Sequence, residues 1–137
     1  MILTTCAACA APLAHDAPRC VRCKTIAAAY NYATSLLDLH RYAEGRSVLR
    51  RIIPVARSAL GENNDIMLRM RRSYAEALYE ADGATFDDLR EAVTTLEDTA
   101  RRTRQVLGGV HPDTVRVDTC LRKARAALRA RETPPPR

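Results

Sequence analysis

Four cysteines near the N-terminus have the spacing of a zinc site. Cys6, Cys9, Cys20 and Cys23 form two C-x-x-C pairs that are separated by ten residues. Each pair can turn two thiolates towards one side of a tight turn, and two pairs complete a tetrahedral site with Zn–S distances of about 2.3 Å. The pattern therefore predicts one structural zinc ion held by these four residues.

Other chemistry stays open for the same cysteines. They could form a redox-active C-x-x-C or a disulfide, or the site could fail to close around a metal. A redox motif normally lies between a strand and a helix, and no neighbouring segment has a strand pattern. His15, between the two pairs, could replace a cysteine as a ligand. Residues 1–23 contain few large apolar side chains, so a metal would have to order them.

Chain length and composition favour a small helical protein inside the cell. The chain has 137 residues, of which 47% are hydrophobic but only 4% aromatic. Because β-branched and aromatic residues are sparse, helices are favoured over strands. The N-terminus lacks the features of a signal peptide, and no run of about 18 apolar residues could span a membrane. We expect a cytoplasmic or nuclear protein that is not secreted and contacts no membrane.

Apolar residues recur at helical spacing from Thr25 onwards. The predicted helices cover 25–40, 42–60, 65–81, 86–107 and 111–131. Pro54 is expected to kink the second helix, Gly61 to end it, and Thr85 with Asp88 to cap the fourth helix.

Three parts follow along the chain. Residues 1–24 form a zinc-knuckle segment, residues 25–131 form the helices, and residues 132–137, which contain three consecutive prolines, form a disordered tail. Cys120 lies on the apolar face of the fifth helix, where a buried and inert thiol is expected.

The helices contain an internal repeat. Residues 31–36 match residues 73–78 at an offset of 42, and residues 57–61 match residues 104–108 at an offset of 47. A repeated helix–turn–helix of this length indicates an α-solenoid. We therefore predict an all-α fold, a short α-solenoid of antiparallel helical hairpins with about five helices. Leu36 and Leu78, at equivalent repeat positions, should be buried within their own hairpins.

This repeat resembles the tetratricopeptide type found in kinesin light chain. Residues 107–114 read L-G-G-V-H-P-D-T, close to the family's linker between repeats, and residues 41–44 read R-Y-A-E, as in its turn. The resemblance covers about residues 31–131. It implies a concave groove that binds peptides, and it brings no catalytic residues.

The cysteine segment resembles the start of a MYND-type zinc finger, in which two C-x-x-C pairs are often followed by lysine, as Cys23 is by Lys24. That family continues with further cysteines and a histidine, which complete two interleaved zinc sites. Residues 25–32 contain no such ligands. The resemblance therefore implies a shortened finger, in which both pairs combine in one site.

The preferred interpretation is a non-enzymatic protein-protein interaction module. In the tetratricopeptide family the first helix of each hairpin lines the groove. The exposed polar candidates for partner binding there are Asn31, Arg69, Arg72, Ser73, Arg116 and Arg122. Their arginines favour an acidic peptide or protein partner. Because two repeats and one extra helix make a small solenoid, we expect a monomer or a weak dimer.

The alternative is a nucleic-acid-associated zinc protein that uses its basic C-terminal helix. Residues 121–137 carry six basic side chains against one acidic side chain. No aromatic residues lie between them to stack on bases. Enzymatic activity is not expected, because the sequence contains no nucleophile elbow, P-loop or H-E-x-x-H motif.

Overall fold

The computed structural model describes Cys6 and residues 20–133, and this part of the chain is all-α. The helices are α1 (Val21–Asp38), α2 (Tyr42–Leu60), α3 (Asp65–Glu80), α4 (Phe86–Leu107) and α5 (Pro112–Glu132). No strand occurs among the described residues. The all-α prediction is therefore confirmed.

Local capping signals explain where most helices begin. The Asn64 side chain accepts the backbone N–H of Ile66 at the start of α3. Thr85 and Asp88 form a reciprocal capping box at the start of α4, with both N···O distances at 3.1 Å. At two helix ends, Gly61 and Gly108 adopt φ values of 82° and 86°, a region that is strained for other residues.

Both ends of the described chain differ from the predicted boundaries. The first helix begins at Val21 and not at Thr25, so the predicted boundary after residue 24 falls inside α1. At the other end, α5 ends at Glu132, one residue beyond the predicted end of the helices, and Thr133 is its C-cap. Residues 134–137 lie outside the described residues. Pro54 does not stop α2, which continues to Leu60.

The five helices pack around α3. Each helix contacts the next along the chain, and α3 also contacts both α1 and α5. One apolar cluster joins α3, α4 and α5 and includes Leu78 and Leu96, while a second joins α1, α2 and α3 and includes Ile26 and Leu49. Because α3 contributes to both clusters, it is the central element of the fold.

Two residues at equivalent positions of the predicted repeat are both buried. Leu36 is 2% exposed and Leu78 is fully buried, as expected for their equivalent positions. Tyr74 packs against both apolar clusters from α3. Two contacts show that α3 and α5 run parallel. Arg69 contacts Asp113 near the start of both helices, and Glu76 contacts Cys120 further along both helices.

Candidate functional site

The structure brings three of the four predicted zinc ligands together. The sulfur atoms of Cys6, Cys20 and Cys23 all lie within 4.8 Å of one another. Cys6 and Cys23 are buried, and Cys20 is partly exposed. Cys9, the fourth predicted ligand, lies outside the described residues, as does His15. No other group of three cysteine, histidine or carboxylate side chains in the described chain could hold a metal ion.

The first turn of α1 positions this cysteine cluster. Cys20 is the N-cap of α1 in an extended conformation, and its sulfur accepts the backbone N–H of Cys23 at 3.4 Å. The backbone N–H of Cys20 in turn donates to the sulfur of Cys6 at 3.2 Å. The second C-x-x-C pair is thus part of a helix start and not an independent knuckle.

The spacing of the three sulfurs is compatible with a metal site. Four sulfur ligands about 2.3 Å from a tetrahedral metal lie about 3.8 Å from one another. The three sulfurs, within 4.8 Å of one another, need only a small contraction to reach this spacing. Thiolates at three corners of a tetrahedron suit zinc, and a fourth protein ligand would close the site.

A second feature is a cavity of about 460 Å³ between α1, α3 and α5, here called the α3 groove. α1 and α5 lie on either side of α3, and no Cα atom of one lies within 8 Å of the other. Three predicted partner-binding residues, Arg72, Ser73 and Arg116, line this groove. Asn31, Arg69 and Arg122 do not line it.

Two of those predicted residues are buried. Arg72 is 6% exposed and Ser73 is 3% exposed, because both lie on the central helix α3. The Arg72 Nε lies 3.4 Å from Glu76 and its Nη1 lies 4.0 Å from Asp113, without the geometry of a hydrogen bond. Arg69 is also engaged, since its Nε donates to Asp113 at 2.9 Å. Arg116 and Arg122 are exposed, as predicted.

The groove also contains charged residues that the sequence analysis did not select. Asp38 on α1 and Glu80 on α3 are exposed carboxylates at its edge, and Lys123 on α5 is an exposed cation there. Among the described residues, neither these three nor Arg116 form an ion pair within 4 Å. One signal could have found the two carboxylates, because Asp38 and Glu80 are related by the same offset of 42 as residues 31 and 73.

Cys120 lies in the floor of the α3 groove and is 6% exposed. Its thiol donates to the Glu76 carboxylate at 3.2 Å. Burial raises the pKa of the Cys120 thiol to about 11. The thiol therefore remains protonated at neutral pH, which agrees with the expectation of a buried and unreactive cysteine.

The basic helix α5 uses part of its charge within the fold. Arg125 lies 3.5 Å from Glu97, and Arg131 donates to the backbone carbonyl of Ala84 at 2.7 Å. Arg122, Lys123 and Arg129 are exposed and make no ion pair among the described residues.

No protein-family model, curated protein or solved structure matches this chain. The relationship to tetratricopeptide repeats and MYND-type fingers therefore stays a prediction from the motifs. Within Cys6 and residues 20–133, no helix has both the length and the apolar character needed to cross a membrane.

Proposed function

We propose that this protein is a non-enzymatic interaction module, a short tetratricopeptide-like α-solenoid that binds a peptide or protein partner in the α3 groove. The observation that carries the proposal is the groove itself. It lies between alternate helices α1, α3 and α5, as the first helices of successive hairpins would lie in a solenoid. Its volume of about 460 Å³ falls in the range of about 300–1,000 Å³ that is typical of ligand sites.

The proposal includes one structural zinc ion held by Cys6, Cys9, Cys20 and Cys23. The approach of three of these sulfurs to within 4.8 Å of one another supports it. Four thiolate ligands leave no coordination position for water or substrate, so the ion would have a structural role. Its effect would be to fix the N-terminal segment to the first turn of α1, as a shortened MYND-type finger.

The groove can be tested without changing its charge. Thr34 lines the groove from α1, whereas its neighbour Ser35 is exposed outside the lining, and both hydroxyls donate to the carbonyl of Asn31. Thr34→Trp should fill the groove and abolish binding in a peptide-array screen, while Ser35→Trp should retain the partners of the unmodified protein. If both variants retain the same partners with the same affinity, the groove is not the binding surface.

Native mass spectrometry with and without a chelator tests the metal and the oligomeric state together. The expected species is a monomer or weak dimer with one zinc ion per chain. Two tightly held zinc ions per chain would show that other ligands exist, and a chain that holds no zinc ion at saturating zinc would contradict the four-cysteine site.

The alternative function is nucleic-acid binding along α5. It is favoured by three exposed cations that make no ion pair within the described part of the chain, Arg122, Lys123 and Arg129. Binding to phosphates would weaken steeply with salt, by a slope that grows with the number of contacts. A duplex-binding assay over a range of salt concentrations separates this function from peptide binding in the groove.

A further inference from the structure

The charges of the α3 groove are divided between its two sides. Arg116 and Lys123 line the side formed by α5, whereas Asp38 and Glu80 line the groove from α1 and α3. All four residues are exposed, and none has an ion-pair partner among the described residues. The groove therefore presents two cations and two carboxylates that are available to a ligand.

The floor between these two sides adds little net charge. Arg72 is buried there, and its guanidinium lies between Glu76 at 3.4 Å and Asp113 at 4.0 Å. The predicted attraction of an acidic partner to Arg72 is therefore largely offset within the fold. The side that is available for an acidic ligand is α5, and the opposite side would repel a uniformly acidic ligand.

The groove has room for only a short stretch of a peptide ligand. A helix about 10–12 Å across occupies roughly 420–610 Å³ per turn. The cavity of about 460 Å³ thus has room for about one helical turn. Arg116 and Lys123 are seven residues apart, which corresponds to about 10.5 Å along α5. In an extended chain, residues on the same side are about 7 Å apart when they are two positions apart and about 13 Å apart when they are four positions apart. The distance between Arg116 and Lys123 along α5 lies between these two values.

We infer that the groove selects an extended peptide segment in which acidic and basic residues alternate. This inference rests on the proposed function of the groove. Successive side chains of an extended peptide point to opposite sides. Acidic side chains would then face Arg116 and Lys123, and a basic side chain would face Asp38 and Glu80. Neither a uniformly acidic segment nor one with its charges in two blocks satisfies both sides.

Three synthetic eight-residue peptides test the inference by fluorescence anisotropy. In the first peptide glutamate and lysine alternate, in the second the same residues form two blocks, and the third contains only glutamate. Two exposed ion pairs on a side correspond to about a two- to thirtyfold change in affinity. The unmodified protein should bind the alternating peptide more tightly than the other two by a factor in this range.

Charge-reversal variants make the test directional. Asp38→Lys with Glu80→Lys should weaken binding of the alternating peptide and strengthen binding of the all-glutamate peptide. Arg116→Glu with Lys123→Glu should weaken binding of both peptides. The matched control is Arg51→Glu with Arg129→Glu, which reverses two exposed cations outside the groove and should leave the preference unchanged.

The outcomes separate the inference from the function on which it rests. If the all-glutamate or block peptide binds the unmodified protein at least as tightly as the alternating one, the inference is wrong, although the groove still binds peptides. If the control variant loses the preference as fully as the groove variants, the charges of the groove do not select the ligand. If Thr34→Trp leaves all peptide binding intact, the proposed function itself fails.

Discussion

Cys20 has two roles that a pair of substitutions can separate. Its sulfur belongs to the proposed zinc site, and the same sulfur caps α1 by accepting the N–H of Cys23. Serine keeps a good N-cap acceptor but removes the thiolate ligand, whereas alanine supplies neither group. Cys20→Ser should therefore remove the contribution of the metal alone, and Cys20→Ala should remove both contributions.

The expected changes in the free energy of unfolding differ enough to be measured. Free zinc at a thousand times its dissociation constant stabilises a folded protein by about 4 kcal/mol, if the unfolded chain does not bind it. A helix N-cap contributes about 1 kcal/mol. With zinc, the free energy of unfolding of the unmodified protein should be about 4 kcal/mol higher than that of Cys20→Ser and about 5 kcal/mol higher than that of Cys20→Ala.

With a chelator, only the difference in the cap should remain. Cys20→Ser should then match the unmodified protein to within about 0.5 kcal/mol, and Cys20→Ala should be about 1 kcal/mol less stable. Urea denaturation followed by far-ultraviolet circular dichroism measures all of these values. Arg22→Ser, at an exposed position in the same turn, is the control and should respond to zinc as the unmodified protein does.

Two results would refute this reasoning. If zinc stabilises Cys20→Ser as much as the unmodified protein, Cys20 is not a ligand. If Cys20→Ala and Cys20→Ser are equally stable in chelator, the hydrogen bond from Cys23 to the Cys20 side chain contributes nothing to the helix start.

Three further predictions concern the helices, and urea denaturation measures each. Leu78→Ala, at a fully buried position, should cost about 2–5 kcal/mol, whereas Leu39→Ala, at a position 65% exposed, should change stability by less than about 0.5 kcal/mol. Thr85→Ala removes the cap of α4 and should cost about 1 kcal/mol, more than Thr94→Ala at an exposed position inside the same helix. Burial raises the pKa of the Cys120 thiol to about 11 in the folded protein, against about 8.5 in the unfolded chain. The contribution of this thiol to the free energy of unfolding is therefore constant at neutral pH, and it declines as the pH rises from about 8.5 to about 11. Over this pH range, the free energy of unfolding should decline less steeply in Cys120→Ala than in the unmodified protein.

Local signals in the sequence were sufficient to predict most helix boundaries. The capping box of Thr85 and Asp88 and the helix-ending Gly61 depend only on residues within a few positions of one another. Such interactions are readable without knowledge of the tertiary fold. The start of α1 was missed because cysteine is not a usual N-cap residue, and Cys20 caps α1 through its sulfur.

Burial on α3 was harder to predict, because it depends on residues far away in the chain. Helical periodicity gave α3 a single apolar face, but α3 is covered by all four other helices. Arg72 and Ser73 are buried as a result. Glu76, four residues after Arg72, was a readable sign of a charge partner, whereas Asp113, on another helix, was not.

The cysteine cluster and the α3 groove share one helix. α1 begins at the cysteine cluster and carries Asp38, at the edge of the groove, as its last residue. Between these ends, Ile26 and Ala33 are almost fully buried in the apolar cluster that joins α1, α2 and α3. Because this apolar cluster includes none of the cysteines, loss of zinc should loosen the first turn of α1 and leave the groove in place.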